Sequence, residues 1–120
     1  MMDIYENTTY EIQNELKSLS QDLELRVYIA SVTDNHRVHE ILTLEKPGII
    51  FHAAAHKHVP LMECNPKEAI SNNVFGTWNL AKTAMEVGVE KFVMISTDKA
   101  VNPTNVMGQA RDYVRSLFSQ

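Results

Sequence analysis

Two short, continuous apolar runs constrain this chain more than any other feature: Gly48-Ile49-Ile50-Phe51-His52-Ala53 and Lys91-Phe92-Val93-Met94-Ile95. Alternate side chains of a strand point to opposite sides of its sheet, so a run without polar gaps predicts a strand buried on both faces. Such a strand needs helices on either side, and the rest of the chain has their spacing. Asn7 and Thr8 offer caps before Ile12, Leu16 and Leu19. Leu23, Leu25, Val27 and Ile29 alternate and predict a strand over residues 23–31. Asp34 is the expected N-cap of a helix with Val38, Ile41 and Leu42 on one face, stopping near Pro47-Gly48. Asn65-Pro66 opens a helix with an apolar stripe of Ile70, Val74, Thr77, Trp78, Ala81, Ala84 and Met85, ended by Gly88. A last helix carries Met107, Ala110, Val114, Leu117 and Phe118 on one face.

Helices and strands therefore alternate, which is the grammar of βαβ units and a parallel sheet. The 120 residues amount to about one domain. A net charge of −4 argues against a nucleic-acid surface. No apolar run approaches the roughly 20 residues of a membrane helix, and no signal peptide opens the chain. Cys64, the one cysteine, leaves no internal disulfide and points to a reducing, cytoplasmic setting.

In parallel sheets ligands bind beyond the carboxyl ends of the strands, here segments 53–62 and 96–105. In Ser96-Thr97-Asp98-Lys99 an acid and a base adjacent at a sheet mouth suit proton transfer; the alternative is a solvated turn with a surface ion pair. The small side chains of Ala53-Ala54-Ala55 suit either a flat ligand or tight helix–sheet packing. His52, His56 and His58, with Glu63, raise the question of a metal. His52 and His56 would share a face only on a helix, yet His52 ends a strand, so no metal is expected. His56-Lys57-His58 suits an anionic group such as a diphosphate instead. Met62, Met85 and Met94 read as core fillers. Met107 lies four residues before Arg111, on the same face of the last helix.

Phe51-His52-Ala53-Ala54-Ala55-His56-Lys57-His58-Val59-Pro60-Leu61-Met62-Glu63 resembles the signature of the CapD-like polysaccharide biosynthesis proteins, which are nucleotide-sugar dehydratases and epimerases of the extended short-chain dehydrogenase/reductase superfamily. Asn72-Asn73-Val74-Phe75-Gly76-Thr77 and the run from Ser96-Thr97-Asp98-Lys99 through Asn105-Val106-Met107-Gly108 extend the likeness. So does Asp3-Ile4-Tyr5-Glu6-Asn7 with Tyr10-Glu11-Ile12-Gln13, which resembles the segment after the family's second strand.

The resemblance implies a partial Rossmann-type α/β domain over residues 1–120, a three-layer αβα parallel sheet, with NAD or NADP as cofactor and a UDP-N-acetylhexosamine as substrate. It implies 4,6-dehydration: hydride leaves C4 for the nicotinamide, a base takes the C5 proton, water departs from C6, and the hydride returns to C6. By position, Asp98 is then the acid, Lys99 the C5 base and Thr97 a hydrogen-bonding partner of the sugar. Met107 and Arg111 occupy the places of the superfamily's Tyr and Lys. Some members carry Met at the first place, whereas Arg111 is a departure, since a planar guanidinium does not replace an ammonium at a buried site. Asp3 matches the acidic residue that holds the adenosine ribose. Ser31 stands where an Asp near the adenine is usual, and Asp34 matches the later acidic residue. Ala53, Ala54, Ala55 and Ser96 line the cofactor; Lys57 and Asn73 match positions near nicotinamide and substrate.

The four glycines, Gly48, Gly76, Gly88 and Gly108, form no Gly-x-Gly-x-x-Gly cluster to hold a pyrophosphate. The expectation is a family fragment without its first strand and glycine-rich loop, inactive alone and weak or lacking in cofactor binding. In the 3-2-1-4-5-6 order, the strands at 23–31 and 48–53 would be the third and fourth, which are not neighbours. The middle of the sheet is then empty, or the strands pair differently, including across a homo-oligomer. The competing reading is a non-catalytic remnant or oligomerising interaction module of the same descent. Dehydratase and epimerase are not separated by these motifs.

Overall fold

The computed structural model describes residues 1–96 and 104–117, with the side chains of Met107, Arg111 and residues 114–117 outside that description. Two compact units, Met1–Ser31 and Val32–Gln120, make up the chain.

The first unit contains β1 (Met2–Asp3), α1 (Glu6–Leu19) and β2 (Tyr28–Ile29). β1 and β2 are parallel, Met2 opposite Tyr28 and Asp3 opposite Ile29. Only the end of the predicted strand 23–31 is a strand, because a strand extends only as far as its partner. Tyr28 donates its N–H to Met1 O at 2.9 Å and Ala30 donates to Asp3 O at 3.0 Å. The Asp3 carboxylate then accepts the Tyr5 N–H at 2.9 Å and turns the chain into α1. That helix starts at Glu6, ahead of the predicted caps Asn7 and Thr8, and Tyr5 at its N-cap makes no side-chain cap bond.

The second unit runs α2 (Asn35–Glu45), β3 (Ile49–His52), α3 (Val59–Cys64), α4 (Pro66–Ile70), a π-helical turn (Ser71–Gly76), α5 (Thr77–Glu86), β4 (Lys91–Met94) and α6 (Val106–Leu117). Asp34 caps α2 as expected, its carboxylate accepting the Arg37 N–H at 3.0 Å. Val38, Ile41 and Leu42 are buried along that helix. β3 and β4 pair in parallel from Ile49–Lys91 to His52–Met94. β1 and β2 form one two-stranded sheet and β3 and β4 another.

Further expectations are corrected. The apolar strands are covered on one face only among the described residues: Phe92 and Met94 line a cavity with Ala81 and Ala84 of α5, whereas Ile49, Phe51, Val93 and Ile95 are exposed. The helix predicted from Asn65 to Gly88 is broken into α4, the π-turn and α5, and its interior face is rotated by about one position. Ala69, Asn73, Thr77, Leu80, Ala81 and Ala84 are buried, while Ile70, Trp78 and Met85 are exposed. Crowding selects small residues on the inner face: a Cβ on Gly76 would lie 2.7 Å from Val32 Cγ2. Asn65 is at the N-cap of α4 but makes no cap bond, its amide donating instead to Leu61 O at 2.9 Å. α3 occupies part of the segment beyond β3, and Met62 holds it by packing with Ala69, Val59 and Val106.

Candidate functional site

Because β3 and β4 are parallel and in register, the chain leaves both at the same sheet edge. Ile95 donates its N–H to His52 O at 2.9 Å, keeping the two exits together. From β3 emerges loop 53–58; from β4 emerges Ser96, exposed.

His52, the last residue of β3, is almost fully buried, and its Nε2 shares a 2.7 Å hydrogen bond with Thr77 Oγ1. Its ring lies 5.8 Å from that of Phe92. A buried polar ring needs a partner, and Thr77 supplies one at the start of α5. This links the strand end to the helix just after the π-turn.

The π-turn secures the loop itself. Asn73 is 2% exposed and uses both ends of its amide on one residue: Oδ1 accepts the His56 N–H at 2.9 Å and Nδ2 donates to His56 O at 3.0 Å. Asn72 donates through Nδ2 to Ala54 O at 3.3 Å and to Asn73 Oδ1 at 3.1 Å. Consecutive residues on an α-helix point about 100° apart, so two neighbouring amides serving one loop is unusual, and π-turns recur at such places. The loop thereby has its main-chain groups satisfied by side chains, which an irregular segment needs. Ala53, Ala54, Lys57 and His58 remain exposed, and Ala55 and His56 are half-buried.

α3, which follows the loop, is joined to α6. Glu63 Oε1 accepts the Val106 N–H at 2.7 Å, and Asn105 Oδ1 accepts the Gly108 N–H at 2.8 Å.

The candidate residues are distributed as follows. Ala53, Ala54, Ala55, Lys57 and Asn73 share the loop and the turn that holds it. Ser96 leaves the adjacent strand. Asp3 and Ser31 stand in the first unit, Asp3 at the end of β1 with a carboxylate oxygen on Tyr5. Asp34 has a carboxylate oxygen committed to capping α2. Thr97, Asp98 and Lys99 lie outside the described residues, as do the side chains of Met107 and Arg111, whose backbones belong to α6. Among the described residues no group of three or more His, Cys, Asp or Glu side chains could hold a metal ion. None of the described helices is long and apolar enough to cross a membrane. Sequence reasoning missed Asn72 as a loop anchor. Its signal was two poor helix formers side by side in a helical stretch, where amides seek main-chain partners.

Comparison with known proteins matches residues 1–120 to the family model described as polysaccharide biosynthesis protein. The chain is 54% identical over 107 residues to the capsular polysaccharide biosynthesis protein CapD of Staphylococcus aureus, covering 88% of this chain and 18% of that protein. It is 37% identical over 106 residues to the UDP-N-acetylglucosamine 4,6-dehydratase (inverting) of Campylobacter jejuni, strain 81-176, covering 88% of this chain and 31% of the dehydratase. The chain thus spans less than a third of either relative. Among solved structures, the UDP-glucose 4-epimerase of Stenotrophomonas maltophila with bound NAD and formylated UDP-arabinopyranose superposes with a TM-score of 0.85 at 16% identity, over 97% of this chain and 38% of the epimerase. That likeness identifies a Rossmann-type fold.

Proposed function

The chain belongs to the polysaccharide biosynthesis protein family, and from that premise we propose that it supplies the middle of the catalytic domain of a UDP-N-acetylhexosamine 4,6-dehydratase. One observation carries this reading. The anchored loop 53–58 and the segment opening at Ser96 leave two parallel strands at one sheet edge, where nucleotide ligands bind in folds of this type.

The described residues fit part of a nicotinamide dinucleotide. Small, exposed side chains at Ala53 and Ala54 leave room for a flat group against the main chain. The four glycines form no Gly-x-Gly-x-x-Gly cluster of the kind that aims N–H groups at a pyrophosphate. The nicotinamide, when bound, takes up and returns a hydride. The protein's own share is acid–base chemistry: Lys99 takes the proton from C5, Asp98 gives one to the departing C6 hydroxyl, and water leaves. Thr97 holds the sugar by a hydrogen bond, and Arg111 stands at the position of the lysine that holds the nicotinamide ribose. The 120 residues alone are proposed to be inactive.

The test has two arms. The chain incubated with UDP-N-acetylglucosamine and NAD is expected to give no 4-keto product, and calorimetry to show no micromolar binding of NAD. Grafted in place of the matching segment of the Campylobacter jejuni dehydratase, these residues are expected to support turnover that Lys99→Ala and Asp98→Asn abolish. A graft that binds UDP-N-acetylglucosamine and NAD without turnover would sink the catalytic reading. It would favour a non-catalytic module, the role to which Arg111 lends weight.

A further inference from the structure

We propose that Glu63 is a positioning residue: its carboxylate fixes where α6 begins, and so where the backbones of Met107 and Arg111 stand relative to loop 53–58. The functional meaning of this inference rests on the reading above, whereas the structural part does not.

The first N–H groups of a helix have no partner within it. In α6 two of them are satisfied by different means. Asn105 takes the Gly108 N–H as a local cap, while the Val106 N–H is taken by Glu63, from a helix 43 residues earlier. At 2.7 Å this has the length of a charge-assisted bond, and it sets a negative charge at the positive end of a twelve-residue helix. Apolar packing holds both partners in place, since Val106 joins Val59, Met62 and Ala69 in one cluster.

Within a helix each residue follows the last by a fixed rise and rotation. Pinning Val106 therefore places the backbone of Met107, the next residue, and that of Arg111 five residues on. α3 follows loop 53–58 directly, with His58 as its N-cap. The same six-residue helix thus continues from the anchored loop at one end and grips the start of α6 at the other. It works as a bracket between two halves of the site. An acceptor oxygen at the reach of a glutamate side chain is needed there, a role the histidine-rich surroundings of Glu63 in the sequence do not suggest.

The experiment compares Glu63→Ala and Glu63→Gln in the 120-residue chain by amide exchange at Val106 and Gly108, and by the NMR signals of the Met107 methyl and the Arg111 Nε–Hε. In Glu63→Ala the Val106 amide is expected to exchange roughly 5- to 10-fold faster, the ratio set by a lost cap. The Met107 and Arg111 signals should move with it, and the Arg37 amide at the start of α2 should be unchanged. Glu63→Gln keeps an acceptor oxygen and should restore most of the protection. Unaltered α6 signals in Glu63→Ala, or a glutamine variant as impaired as the alanine one, would overturn the proposal. Should Glu63→Ala fail to fold, Glu63→Asp against Glu63→Gln carries the same comparison, the shorter acid losing the Val106 bond.

In the grafted dehydratase, Glu63→Ala is expected to lower kcat about tenfold while KM for UDP-N-acetylglucosamine stays within about twofold. A graft with no activity in any variant refutes the dehydratase reading, and the exchange data still decide Glu63.

Discussion

Gly76 and Val32 show how a single residue decides what may lie against it. With 2.7 Å between a would-be Cβ and Val32 Cγ2, Gly76→Ala forces either the π-turn or Val32 to shift. Overpacking of this kind costs about 1–3 kcal/mol, so the variant is expected to unfold at lower urea, and Val32→Ala in the same chain should recover part of the loss. Arg111 supports a prediction of another sort. If this position carries the ribose-holding cation, Arg111→Lys in the grafted dehydratase should raise kcat/KM about tenfold, because an ammonium concentrates its charge at one point and a guanidinium does not. A decrease would show that the chain has adapted to arginine.

At the scale of elements, legibility followed how local the cause was. Asp34 and its helix were readable because a cap and an apolar face act within a few residues of one another. β2 is shorter than the alternation of Leu23, Leu25, Val27 and Ile29 predicts, because that alternation carries no information about how long its partner is. The helix after Asn65 was readable as helical, but not its break at Ser71–Gly76 or its rotation, which arise from loop 53–58 and from Val32. The histidine run drew attention to side chains, whereas the residue that organises it, Asn73, acts on main-chain atoms. Asn73→Ala leaves the half-buried His56 N–H and C=O without partners, which should cost about 1–3 kcal/mol in denaturant unfolding. Asn73→Asp keeps the acceptor but sets a buried carboxylate oxygen against His56 O, so it should cost at least as much as Asn73→Ala.

For the molecule as a whole, the one-sided cover of β3 and β4 matters most. Phe51 is 70% exposed, beside Ile49, Val93 and Ile95. An apolar face of this kind favours association, and the chain is expected to bind a hydrophobic dye and to self-associate with rising concentration. Phe51→Lys should weaken both in light scattering, and unchanged behaviour would locate the adhesive surface elsewhere. The parallel pairing of β3 with β4 also has a consequence for synthesis. A hairpin closes as soon as its second strand is made, but Ile49 must wait for Lys91. At translation rates of about 5–20 residues per second, the first strand stands unpaired for roughly 2–8 s, and α3 to α5 form in that interval. Helices therefore precede the sheet in the growing chain, and a nascent β3 is the segment most in need of a chaperone.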